Sequence, residues 1–439
     1  MGFLDRFIGG PPNVNRLAAK RDITGLLKAL EYAIDRPIRK GEDYDMVKKE
    51  TIPIALSATS ALAEIQEPRA IEPFLQFVRE NDVNFGNEFS PLYLSPVPRI
   101  LAKFGNTAVE PLLLWLERAP FEKAIAATAL GFIADSRAKG PLIKISHECP
   151  MAVWALGNLC ETQEDVETIL SFLEHSDHWF QRRAYEALSM PRMAHVAANS
   201  LVALCKLDIS QETDYSKKEK KRRAKYLAGL ALCNLGDPRG LEWMLEHATG
   251  AGFWLIGNFN DPRVAKKLSD YLQKTEPKLD HIEDQSKRGF EFLGEEWVFC
   301  ALGLAKMKDI RAIRPLLKIM SLPQSASHIY WLFEDSYYNL AVNALQAFSS
   351  ELSEPLATFE KVFGVQISNT AEAEIRSNIE LLNDHGIALS RRMDAARALT
   401  KVLDGMSSTM KHSCVAEFCS RCQEDHCKCT PCRPTTPEN

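Results

Sequence analysis

The densest chemistry in the chain lies at its end. Six cysteines, Cys414, Cys419, Cys422, Cys427, Cys429 and Cys432, fall within the last 26 residues, with His412 just before them and His426 among them. A Cys-x-x-Cys turn points two thiolates at one metal, and a second pair closes a tetrahedron. Two ligand sets compete. Cys419, Cys422, Cys429 and Cys432 form C-x2-C-x6-C-x2-C; Cys419, Cys422, Cys427 and Cys432 form C-x2-C-x4-C-x4-C. Soft thiolates favour Zn²⁺, Cu⁺ or an iron–sulfur centre, and Zn²⁺ is the cofactor expected here. The other five cysteines, Cys149, Cys160, Cys205, Cys233 and Cys300, stand in apolar surroundings and read as small buried hydrophobes. That usage points to a reducing, cytoplasmic setting.

Other reactive constellations are sparse. His147-Glu148 is a single His-Glu pair, and none of His175, His178, His195, His247, His281, His328 and His385 is directly followed by Glu. There is no phosphate-binding Gly-rich loop, no G-x-S-x-G and no H-E-x-x-H. Catalytic residues are therefore not assigned. Trp154 and Trp254 recur in matching contexts, Trp-Ala-Leu-Gly-Asn-Leu and Trp-Leu-Ile-Gly-Asn-Phe. They are candidates for a shared partner-binding face, against the alternative that tryptophan at helical spacing is core.

The elements that must position these residues repeat. The pattern is Ala-Leu-x-x-apolar, a short polar turn, then Arg-Ala-apolar-x-Pro-Leu. It occurs at 61–75, 101–116, 129–142 and 301–320, more weakly at 155–173, 229–245 and 255–272, and last at 344–362; a further unit is expected within 176–206. Pro73, Pro111 and Pro141 are 38 and 30 residues apart, and Pro315 and Pro355 are 40 apart. Ile313, Leu316, Leu317 and Met320 fall at i, i+3, i+4 and i+7, one face of a helix; Trp297, Cys300, Ala301 and Leu304 do the same on the helix before. Asp237-Pro238 and Asp261-Pro262 supply a cap acceptor followed by proline at the first helical position. A two-helix unit of this kind has two apolar faces and buries both only by stacking on neighbours. The expected fold is all-α: a right-handed α-solenoid over 13–403, preceded by a cap segment at 1–12 and followed by an irregular Cys-rich tail at 404–439.

These units resemble HEAT repeats, specifically the short bacterial and archaeal units of phycobilisome-lyase-type proteins. The resemblance implies an armadillo-like helical scaffold or adaptor, or alternatively a lyase or oxidoreductase subunit. A HEAT-repeat hydroxylase with a di-iron site would need about four His-Glu pairs, and this chain has one. The tail spacing is loosely similar to a zinc knuckle, but Cys427 stands where that family has histidine and His426 where it has glycine. Its base-stacking aromatics are also absent, so nucleic-acid binding is not carried over.

Three stretches interrupt the pattern: 80–98, rich in Phe, Tyr and Pro; 208–223, with the basic run Lys217–Arg223; and 321–338, with Tyr330, Trp331, Phe333 and Tyr337. Insertions in a solenoid fall on one edge and often carry binding, so this last group joins Trp154 and Trp254 as candidate partner contacts. The chain is 439 residues, 46% hydrophobic and 25% charged, with a net charge of −5. Those values exclude global disorder and give no electrostatic basis for nucleic acid as the main partner. The basic run, leading into an apolar helix at 226–235, reads as a solvated face, with nucleic-acid binding through it and the tail as a weaker alternative. The longest strongly apolar run, near 297–305, is far short of the roughly 20 residues that span a bilayer. The first residues match neither a secretory signal nor a myristoylation pattern, with Arg6 where Ser or Thr would stand. The expected role is therefore a scaffold for a protein partner, with no membrane partner.

Overall fold

The computed structural model describes residues 11–36, 44–81, 95–279, 290–321 and 337–346, with a few single positions up to 399. Every regular element among them is helical, and no strand occurs among the described residues. The chain divides into two compact units, residues 1–240 and 241–439.

In the first unit the helices are α1 (Val14–Ala19), α2 (Ile23–Asp35), α3 (Tyr44–Glu64), α4 (Ile71–Glu80), α5 (Pro96–Lys103), α6 (Val109–Trp115), α7 (Pro120–Ile133), α8 (Lys139–Ile145), α9 (Pro150–Leu159), α10 (Gln163–Ser171), α11 (His178–Leu188), α12 (Ala198–Lys206) and α13 (Tyr215–Asn234). The division between units falls within α14 (Pro238–His247). From α3 onward they alternate. Each odd-numbered helix packs on the next odd-numbered one, from α3 through α5, α7, α9 and α11 to α13, and α6, α8, α10 and α12 each pack on the odd-numbered helix that follows. The unit expected within 176–206 is present as α11, a 3-10 turn at Pro191–Ala194, and α12.

Sequence explains the alternation. In α9 the run Met151–Gly157 and Leu159 are buried, so that helix is enclosed on nearly all sides. Helix α4 is amphipathic: Ile71, Phe74, Leu75, Phe77 and Val78 face inward, while Glu72, Gln76 and Arg79 face water. Small residues set the spacing of the odd-numbered helices. A Cβ on Gly131 of α7 would stand 2.8 Å from the Ala155 Cα, and one on Gly157 of α9 would stand 2.7 Å from the Ala187 Cβ.

One turn chemistry recurs between helices. The acid of an acid-x-Arg tripeptide accepts a hydrogen bond from the arginine backbone N–H and clasps the same residue's guanidinium. At Asp135 and Arg137 these bonds are 2.9 Å from N, 2.9 Å from Nε and 2.9 Å from Nη2. Glu67–Arg69 and Asp237–Arg239 repeat the clasp in the first unit. The free guanidinium edge often reaches back to the preceding pair: Arg137 Nη1 lies 2.8 Å from Glu110 and Arg239 Nη1 2.9 Å from Asn199. Arg192 has no such acid. Its guanidinium instead donates to the carbonyls of Asn158 and Cys160, where α9 ends.

In the second unit α15 (Ala251–Ile256) continues as a 3-10 turn at Gly257–Phe259, followed by α16 (Pro262–Leu279), α17 (Phe290–Lys306), α18 (Ile313–Ser321) and α19 (Tyr337–Gln346). α15, α16, α18 and α19 all pack on α17. The clasp returns at Asp261–Arg263 and Asp309–Arg311, whose arginines reach Glu242 and Ser269. Here the close approach is of backbones: a Cβ on Gly257 would meet the Gly303 carbonyl oxygen at 2.4 Å.

Two sequence expectations need adjusting. The stretch 208–223 does not interrupt the helices throughout. Asp214 caps α13, which carries the basic run Lys217–Arg223 straight into the apolar segment 226–234, so the run is the exposed to half-buried first half of a core helix. The stretch 80–98 contains the start of α5, where Ser95 caps Val97 and Pro96 takes the first helical position.

Candidate partner-binding surface

Trp254 is half-buried on α15. Lys306, the last residue of α17, sets its Nζ 3.2 Å from the centroid of the Trp254 ring and donates to Asn258 Oδ1 at 2.9 Å. No carboxylate holds this ammonium among the described residues. Lys306 is exposed by area, yet the protein mass around it disfavours the charged form and pushes its pKa down to about 8. The indole face acts in the opposite sense, because the ring quadrupole attracts the cation.

Trp154 behaves differently. It is 8% exposed and meets Phe132 edge-on, with centroids 5.2 Å apart and planes at 70°. Phe132 is 36% exposed, and the Arg99 guanidinium lies 5.8 Å from its centroid. In this pair, then, Trp154 is a support and Phe132 is the ring that water reaches. The sequence reading chose the tryptophan because of the matched Trp-x-x-Gly-Asn contexts and passed over Phe132 in Ala-Leu-Gly-Phe-Ile.

A register signal would have found it. The residue three before each turn acid is exposed in every clasp: Glu64, Phe132 and Asn234 in the first unit, Asn258 and Lys306 in the second. Each of these five clasps thus follows one exposed position, and those positions differ in chemistry while their immediate neighbours stay apolar. The clasp was also legible as a recurring acid-x-Arg, which the sequence reading saw only in pieces, as Arg-Ala and as Asp-Pro.

A second cluster surrounds the start of α11. Phe172 lies 5.0 Å from the His147 ring, 6.2 Å from His175 and 5.9 Å from Phe180. Glu148, the other half of the His-Glu pair, is held by Lys123 at 2.8 Å, which lowers its carboxyl pKa. Further along α11, Arg182 lies 5.9 Å from the Trp179 centroid, and Arg182 and Arg183 share Glu186 at 2.9 and 2.6 Å. The basic run on α13 carries much of its own neutralisation: Glu212 takes Lys221 at 2.8 Å and Glu219 takes Arg222 at 2.8 Å.

The five scattered cysteines are buried, as the sequence leads one to expect. Burial raises all their thiol pKa values, to about 11 for Cys160 and about 12 for Cys205 and Cys233. They are protonated at neutral pH and poor nucleophiles. No group of three or more His, Cys, Asp or Glu arranged to hold a metal occurs among the described residues. Cys419, Cys422, Cys427, Cys429 and Cys432 lie outside the described residues, as do Tyr330, Trp331 and Phe333. Tyr337 begins α19, with its side chain outside the described set. No described helix is long and apolar enough to cross a membrane.

Comparison with known proteins adds little. No family model matches the chain, and no curated protein matches it. Among solved structures, the crystal structure of an engineered protein aligns over 68% of this chain and 97% of its own length, with 16% identity and a TM-score of 0.23. A score that low carries no argument about fold or activity.

Proposed function

We propose that the chain is a non-catalytic scaffold of HEAT-like units, coiled as a right-handed α-solenoid, in which each unit offers a protein partner the exposed positions that precede its turn clasps. The observation that carries this reading is the recurrent turn clasp, with one exposed, chemically varied residue three positions before each acid. Within each unit the clasps fix the turns between helices, so the variable positions there need little ordering when a partner docks, and preorganisation of that kind lowers the cost of association. Phe132 and Trp254 supply the aromatic character enriched at interfaces. The Cys-rich tail adds a thiolate zinc site.

Affinity capture from the native source tests the scaffold. The wild-type chain recovers a discrete protein partner, and the double variant Phe132→Asp, Lys306→Glu loses most of it while keeping its helical circular dichroism. Capture of no protein at any salt concentration overturns the reading. For the tail, elemental analysis returns about one zinc per chain, and none after removal of residues 407–439; equal metal in both preparations refutes a metal site there.

A further inference from the structure

The second unit seats an amine on an indole. Trp254, Gly257 and Asn258 stand at i, i+3 and i+4, one face of α15 and its 3-10 continuation. Gly303 and Lys306 stand three apart on α17, and the close backbone approach of Gly257 to Gly303 brings the two faces together. The Lys306 Nζ rests 3.2 Å from the centre of the Trp254 ring and donates to Asn258 Oδ1 at 2.9 Å, while the side chain stays exposed. In the first unit Gly157 of the matching Trp154–Asn158 stretch meets Ala187 and Met190. A thioether there takes the register position that Lys306 holds in the second unit.

No carboxylate of a described residue reaches Lys306. Helix α15 has no titratable residue. From α16, Lys267 lies over the Phe253 ring and Arg263 is held by Asp261 and Glu242; past the end of α17, Asp309 clasps Arg311. Lys103, Lys123, Lys139 and Lys221, by contrast, each lie on a carboxylate, and Asp165 and Glu212 raise the pKa of Lys139 and Lys221. At Lys306 desolvation acts without such a partner and lowers the pKa to about 8, so a sizeable share of the amine is neutral near pH 7.5.

We infer that Lys306 is a covalent modification site, whose neutral amine takes an acyl group from a thioester. The Nζ lone pair attacks the thioester carbonyl carbon; the C–N bond forms, the C–S bond breaks, sulfur leaves with the electron pair as a thiolate, and the nitrogen gives its surplus proton to water. A thiolate leaves without an acid to protonate it, and no described acid faces Lys306; the more basic alkoxide of an oxygen ester would need one. Asn258 Oδ1 accepts an N–H of the amine and of the amide alike, so the site keeps its hydrogen bond through the transfer. The product loses the cation on Trp254, which changes the chemistry of one exposed position before a turn clasp.

The probe is N,S-diacetylcysteamine, a small acetyl thioester, incubated with the whole chain. Peptide mass spectrometry follows acetylation at Lys306 against pH, with Nα-acetyl-lysine amide as the reference. At pH 7.5 Lys306 is expected to react about tenfold faster than the reference, and its rate to level off above about pH 8.5, where an ordinary lysine with a pKa near 10.4 still gains. Asn258→Asp sets a carboxylate beside the ammonium without changing side-chain size. It is expected to slow Lys306 at least fivefold at pH 7.5 and to move the plateau upward, with helical circular dichroism unchanged. Lys306→Arg removes the fast phase of total acetylation. A Lys306 rate equal to that of the reference overturns the inference, and so does an Asn258→Asp chain that reacts as fast as wild type. The scaffold reading is separate: its capture assay reads a bound protein, this one a new covalent bond, and either fails without the other.

Discussion

At the scale of single residues, the turn acids work through arginine. The arginine hydrogen bond to its side chain, with that from the arginine N–H, holds the Asp135 carboxyl at about 2, and the same contacts hold Glu67 at about 2. An unfolded Asp or Glu titrates near 4. Above about pH 4 both states are ionised and the stabilisation is fully present; as pH falls toward 2 the unfolded chain takes up protons first and the contribution disappears. Asp135→Asn is therefore expected to lower the melting temperature at pH 7, with the gap to wild type closing by about pH 2 in parallel thermal scans. Because both clasps are exposed, the effect per site is small. Asp165 is better enclosed. Burial alone would raise its pKa, but the Lys139 ammonium and the N–H groups of Glu161 and Thr162 outweigh it and bring it to about 2. As half of a capping box with Thr162, Asp165 replaced by Asn costs about 1 kcal/mol, read by urea unfolding at neutral pH.

At the scale of elements, helix spacing is fixed by what glycine leaves out. Gly257→Ala drives a Cβ into a backbone carbonyl that cannot rotate away, and a loss toward the upper end of about 1–3 kcal/mol is expected in chemical denaturation. Gly140 in α8 has nothing within 4 Å of an added Cβ and no left-handed backbone angle. Gly140→Ala is expected to be neutral or to stabilise by about 0.5–1 kcal/mol in the same assay. Most helices were legible in the sequence: Pro at the first helical position with an acid before it marks the starts of α14 and α16, and amphipathic spacing marks α17 and α18. The basic half of α13 was not, because Lys and Arg are good helix formers whose exposed runs look the same in a loop. Packing of 224–233 decides that case. Nor could spacing show that Trp154 faces inward while Trp254 faces a lysine. The two share a local motif, and the difference comes from residues far along the chain, Phe132 for one and Lys306 for the other.

At the scale of the whole molecule, the solenoid proposal makes a dimensional prediction. A compact globule of this length has a radius of gyration of ~22 Å. A stack of helix pairs is longer, and small-angle X-ray scattering of the monomer is expected to return a clearly larger value with an elongated distance distribution. A value at the globular figure would refute the stack. A one-dimensional array also unfolds in pieces, so the two units are expected to show separable protection in native-state hydrogen exchange.

The glycine crossing in the second unit carries one more consequence. Where α15 and α17 touch, main chain rests on main chain, with the Leu268 side chain at the edge of the contact. A joint of that sort tolerates almost no sliding, so any flexing of this unit has to be absorbed at contacts padded by leucine and alanine, leaving the neighbouring Trp254–Lys306 pair on its stillest ground.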